Sequence, residues 1–136
     1  MLHCRWIILA AALVLSPVAN AQACPFAGQK PMFVIQLFFG QTIGVRERIS
    51  AAKWNAFARS VLTAHFPDGL TIYDAKGQWR DPRTKRIGRE PTKVVVIAVD
   101  AFKDVRADVG DVMQTYKRQF RQQSVGVITT QGCGAF

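Results

Sequence analysis

Two short runs of almost unbroken apolar residues, Phe33–Phe39 and Val94–Val99, constrain this chain more than anything else in it. Each is rich in β-branched or aromatic side chains, and each reads as a strand with both faces buried. The segments between and after them supply the rest of the order. Ser50 reads as a helix N-cap, with Ile49 and Trp54 spaced as a hydrophobic staple. Trp54, Phe57, Ala58, Val61 and Leu62 then share one helical face, and the helix ends near His65 because Pro67 and Gly69 cannot continue it.

Leu70, Ile72 and Asp74 alternate with Thr71, Tyr73 and Ala75, the period of a half-exposed strand, and Lys76-Gly77 reads as a bulge. A basic loop from Arg80 to Pro91 leads into the second doubly buried strand, Thr92 to Val99. Val105, Val109, Val112, Tyr116 and Phe120 form one stripe of a helix from about Asp104 to Gln122, and Ser124 to Thr130 forms a last strand. The order β-α-β-β-α-β predicts an α+β, ferredoxin-like sandwich: a four-stranded antiparallel sheet with two helices on one face. Helices on one face leave the other open, although the strands are apolar on both. Either a homodimer packing sheet on sheet or the basic loop folding back would hide it.

The first residues place the protein in a compartment. Arg5 precedes an uncharged stretch, Trp6 to Leu15, and Ser16-Pro17 breaks it before two small-x-small sites, Ala19-Asn20-Ala21 and Ala21-Gln22-Ala23. That is the pattern of a secretory signal peptide over residues 1–23, leaving residues 24–136 as a single exported domain, periplasmic or secreted. No segment of the mature chain is long and apolar enough to span a membrane as a helix. The formal net charge is +9, of which only Arg5 leaves with the leader. In an exported protein this charge points to solubility or to anionic envelope components and small anions, and not to nucleic acid.

Three cysteines are present, and Cys4 leaves with the leader. Cys24 and Cys133 then stand at the two ends of the domain, and in the expected topology those ends fall beside each other on adjacent strands. An oxidising compartment favours a disulfide between them. The alternative is a lipid anchor on Cys24, with Ala21-Gln22-Ala23-Cys24 as a poor lipoprotein signal.

The words Leu37-Phe38-Phe39-Gly40, Phe66-Pro67-Asp68-Gly69-Leu70-Thr71, Gly77-Gln78-Trp79-Arg80 and Arg89-Glu90 carry a family resemblance. Lys93, Tyr116-Lys117, Phe120 and Gln123-Ser124-Val125 add to it. Together they resemble the domain-of-unknown-function 3574 family of exported bacterial proteins, over essentially the whole of Cys24 to Phe136. The resemblance implies a small secreted or lipid-anchored domain and no particular activity. Many relatives look like lipoproteins, which keeps the lipid anchor on Cys24 open.

The residues with chemistry in them gather on the central hairpin: Asp74, Gln78, Trp79, Arg80, Arg89, Glu90 and Lys93. Trp79 offers a flat apolar wall, Arg80 and Arg89 offer planar forks for a carboxylate or phosphate, and Glu90 can orient an arginine. The set suits a small-anion or sugar-acid pocket. It suits equally a structural cluster in which Glu90 pairs with Arg89 or Lys93. No nucleophilic triad, phosphate loop or cofactor fingerprint appears. With His3 in the leader, the one remaining histidine, His65, cannot build a metal site with a paired cysteine. Two readings follow: a non-catalytic module binding a ligand or partner, or a small cofactor-independent enzyme with His65, Tyr73, Trp79 and Arg89 around an apolar cleft.

Overall fold

A computed structural model describes residues 24–44, 47–81 and 83–136, so the expected leader lies outside the described residues. Strand β1 (Lys30–Gly40) is followed by a small ribbon of β2 (Thr42–Ile43) and β3 (Glu47–Arg48). Helix α1 (Ala51–Phe57) runs through a π turn at Ala58–Leu62 into α2 (Thr63–His65). Then come β4 (Thr71–Arg80), β5 (Ile87–Asp100), α3 (Arg106–Phe120) and β6 (Gly126–Gly134). The main sheet has the order β4-β5-β1-β6 with every neighbour antiparallel. This is the ferredoxin-like arrangement, with the two apolar runs on the two central strands.

Local signals explain the helical layer. The Ser50 hydroxyl accepts the Lys53 N–H at 3.3 Å, and Ile49 and Trp54 are both buried, as a staple requires. The Ser60 and Thr63 hydroxyls donate to the carbonyls of Ala56 and Ala58, a back-bonding that accompanies the local π geometry. Leu37, Phe39, Val95 and Ile97 meet Trp54, Phe57, Leu62, Val112, Tyr116 and Phe120 in one core. Its aromatic centre is tight: the Tyr116 ring lies 4.7 Å from Phe39, 5.1 Å from Phe57 and 4.8 Å from Phe120.

The strand pair β4–β5 is longer than the pattern predicts. β5 begins at Ile87, not Thr92, and the connection shrinks to residues 81–86. The register continues unbroken through Gly77 and Glu90, so the expected bulge is absent. Pro91 is tolerated inside β5 because β1 ends at that level: the Gly40–Thr92 pair is its last, and Gln41 N–H closes onto the Pro91 carbonyl at 2.9 Å. The tip closes on itself. Asp81 N–H donates to Arg86, Lys85 N–H donates to Asp81, and the Asp81 carboxylate accepts the Arg83 and Thr84 amides. These bonds, Thr84 first, hold its carboxyl below the usual range. The basic loop therefore stays at the end of the arm and does not fold back over the open face.

That open face carries the row Gly126, Phe38, Val94 and Tyr73, and beside it Ile128, Gln36, Val96 and Thr71. Val94 is shielded by its neighbours at 2% exposure, whereas Tyr73 is 45% and Ile128 51% exposed. At the far end of the sheet Cys24 and Cys133 are joined by a disulfide, their Cα atoms 5.6 Å apart, next to the Pro31–Cys133 pair of β1 and β6.

Candidate functional site

Below the end of β1, the β4–β5 arm projects with no third strand beside it, and the β2–β3 ribbon folds alongside. Side chains alternate across a strand, and directly opposed residues share a face. Asp74, Lys76, Gln78 and Arg80 of β4 therefore point to the helix side, with Lys93, Pro91 and Arg89 of β5 opposite them. Trp79 and Glu90 point the other way. The hairpin cluster read from the sequence is thus split between two faces.

Arg48, Asp74, Lys76, Gln78, Arg89 and Pro91 line an open groove of 910 Å³ on the helix side, and Glu90 also contributes to its wall. Lys93 pairs with Asp74 at 2.6 Å, and Gln78 accepts the Arg89 Nε–H at 3.0 Å. The remaining N–H groups of the Arg89 guanidinium are left for another acceptor. Arg48, Lys76 and Arg89 have no carboxylate within ion-pair distance among the described residues. Arg80 sits further out and donates to the Lys85 carbonyl at 3.3 Å, which ties it to the tip.

On the opposite face, Glu90 pairs with neither Arg89 nor Lys93, correcting that expectation. Arg89 is its chain neighbour and points away, and Lys93 is taken by Asp74. Instead the Glu90 carboxylate accepts the Thr42 N–H at 3.2 Å and lies over Gly40, where a Cβ would come within 2.6 Å of it. Gly40 leaves the room that this carboxylate fills. Trp79 lies flat against Gly88, 48% exposed, its indole 3.0 Å from where a Cβ would be.

The arm is fixed to the core by one polar junction. The Tyr116 hydroxyl donates to the Gly40 carbonyl at 2.7 Å and accepts from Gln41 Nε2 at 2.9 Å, which also donates to the Phe39 carbonyl. Burial first, and the charge of Glu90 second, push the phenol well above its ordinary pKa, so it stays a donor. Tyr116→Phe keeps the ring, takes the donor from the Gly40 carbonyl and leaves one of the two Gln41 Nε2 N–H groups unpaired, the other still reaching Phe39. A loss of about 1–3 kcal/mol is expected in denaturant melts.

The four residues of the enzyme reading are not brought together. His65 ends α2 and pairs with Asp108 of α3 at 2.9 Å, Tyr73 and Trp79 lie on the open face, and Arg89 lies on the groove side. Sequence reasoning missed a second, apolar groove of 640 Å³ between β6 and the start of α3, lined by Phe33, Ile35, Val105, Val109, Met113 and Thr129. It exists because the helices do not extend over β6. The only sequence signal for it is Met113, an apolar residue of α3 outside the core stripe.

Among solved structures, the fold is similar to a phage SAM lyase in complex with S-methyl-5'-thioadenosine. The match has 14% identity, covers 77% of this chain and 90% of that one, and has a TM-score of 0.55. It is also similar to CutA from Synechococcus elongatus, with 8% identity, 80% and 87% coverage, and a TM-score of 0.51. At these identities the likeness is one of fold. No curated protein matches the chain. Residues 34–136 match the family described as "Protein of unknown function (DUF3574)", and the chain belongs to that family.

Proposed function

We propose that the protein is an exported, non-catalytic module that binds a carboxylate- or phosphate-bearing small molecule or envelope component in the groove of the β4–β5 arm. One observation carries the reading: three cations, Arg48, Lys76 and Arg89, line a single groove and have no acidic partner among the described residues. Gln78 holds Arg89 through Nε, which supports a guanidinium whose outer edge grips two oxygens at once. Glu90 serves the scaffold and Trp79 stands on the far face, so the ligand contacts come from Arg48, Lys76, Gln78 and Arg89. Export is supported by the leader pattern and by the Cys24–Cys133 bond, since disulfides persist in oxidising compartments. That bond uses the sulfur that a lipid anchor on Cys24 would need.

Isothermal titration of residues 24–136 against inorganic phosphate, a uronic acid and a dicarboxylate tests the proposal. Arg89→Lys keeps the charge and loses the fork, so binding is expected to weaken about tenfold, a loss of about 1.4 kcal/mol. Raising salt weakens binding further by screening. Trp79→Ala, on the other face, leaves it unchanged. Equal affinity in wild type and Arg89→Lys, or no heat with any anion, would sink the reading.

A further inference from the structure

We propose that the outer edge of β6 is a self-association surface, on which a second copy of this chain pairs its own β6 antiparallel about a two-fold axis. The order β4-β5-β1-β6 makes β6 an edge. The bonds from Gln41 N–H to the Pro91 carbonyl and from Ala101 N–H to the Pro31 carbonyl turn the odd residues of β1 toward β5, so its even residues hydrogen-bond to β6, in the register Phe38–Gly126 to Met32–Gly132. Successive residues of a strand direct their N–H and C=O groups to alternate sides, so those of Val127, Thr129 and Gln131 face outward. No hydrogen bond reaches these groups among the described residues.

An edge of this kind is normally protected by charge, proline, a bulge or a covering element. The other edge of this sheet is protected: β4 carries Asp74, Lys76 and Arg80. β6, Gly126-Val-Ile-Thr-Thr-Gln-Gly-Cys-Gly134, has no charged residue and no proline, its register with β1 has no bulge, and Val127 and Ile128 are about half exposed.

Charge decides the occupant. The protein has a net charge of +9, and an acidic partner would seek arginine and lysine, which β6 does not offer. Two copies repel each other over most of their surface and can approach where the charge is absent. An antiparallel pair is also self-complementary. An axis beside Thr129 sets Thr129 against itself and Val127 against Gln131, satisfies both β6 edges at once and leaves only the charged β4 edges at the outside of the joined sheet. Thr129 also lines the apolar groove under α3, so the two grooves abut across the axis.

Sedimentation velocity of residues 24–136 over a concentration series tests this. A dimer is expected. Thr129→Pro removes one outward N–H and no bond to β1, and Val127→Lys places a charge on the seam. Each is expected to raise the dimer dissociation constant by at least about tenfold. Val127→Lys, at a half-exposed position, carries the test if the proline variant does not fold. Tyr73→Lys, on the open face, is expected to leave the dimer intact. A monomer at every concentration overturns the proposal, as does a dimer that Tyr73→Lys dissolves and Val127→Lys does not.

Discussion

Alanine at both Cys24 and Cys133 is expected to lower the unfolding free energy by about 4–5 kcal/mol, the largest effect of any substitution outside the core. The bond closes a loop of 109 residues, nearly the whole folded part, and so restricts the unfolded chain more than any shorter cross-link would. It also fastens the segment before β1 to the end of β6. That segment has few bonds of its own, among them Phe26 N–H to Gln29 Oε1 at 3.3 Å. Comparison of denaturant midpoints and slopes between the oxidised protein and the double variant checks the effect. The slope should rise as well, because an unfolded chain freed of its cross-link exposes more surface. Reduction of the wild type should reproduce the variant. A loss below about 1 kcal/mol would mean that the unfolded ensemble is already confined by other contacts, and the entropic account would fail.

The disulfide and the strand order were legible together because one implies the other. Cys24 and Cys133 fall beside each other only if the last strand pairs antiparallel with the first, which the order of apolar and amphipathic segments requires. Ser50, Ile49 and Trp54 were legible because a cap and a staple are local and act within one turn. The extent of the β4–β5 arm was not. From Lys76 to Arg80 and from Ile87 to Pro91 most residues are polar, glycine or proline, and the two large apolar ones, Trp79 and Ile87, fall on opposite faces, so no apolar alternation marks these stretches as strand. They are held instead by cross-strand contacts such as Gln78 with Arg89. The composition of the site was half legible. Its residues were named from the hairpin as a whole, but neighbours in a strand point to opposite faces. Trp79 and Glu90 therefore separate from Gln78 and Arg89 as soon as the register is known. Arg48 was missed because it comes from a ribbon of two-residue strands with no apolar pattern. The Thr42–Glu90 contact was beyond sequence reasoning, since it joins residues 48 apart through the end of β1.

Trp54→Ala is expected to cost about 3–5 kcal/mol, the range for truncating a buried aromatic side chain. The indole is 3% exposed, and its ring centroid lies 5.5 Å from Phe39, 5.8 Å from Phe57 and 6.1 Å from Tyr116. Little of this cavity can close, because Phe39 is fixed in β1 by its pairing with Lys93 of β5 and Tyr116 is pinned by its bonds to Gly40 and Gln41. Ser50→Ala, which removes only the cap bond to Lys53, should cost about 1 kcal/mol and gives the local contribution separately. The two effects should differ in reach. Loss of the cap frays the first turn, whereas loss of the indole loosens the packing around Tyr116 and through it the junction with the β4–β5 arm. Hydrogen exchange at Gln41, whose N–H closes onto Pro91, should therefore accelerate in Trp54→Ala and stay unchanged in Ser50→Ala. A Trp54→Ala loss under about 1 kcal/mol would place the ring outside the core. A full loss with no change in Gln41 exchange would show that the groove is held by the arm itself and not by the aromatic cluster beneath it.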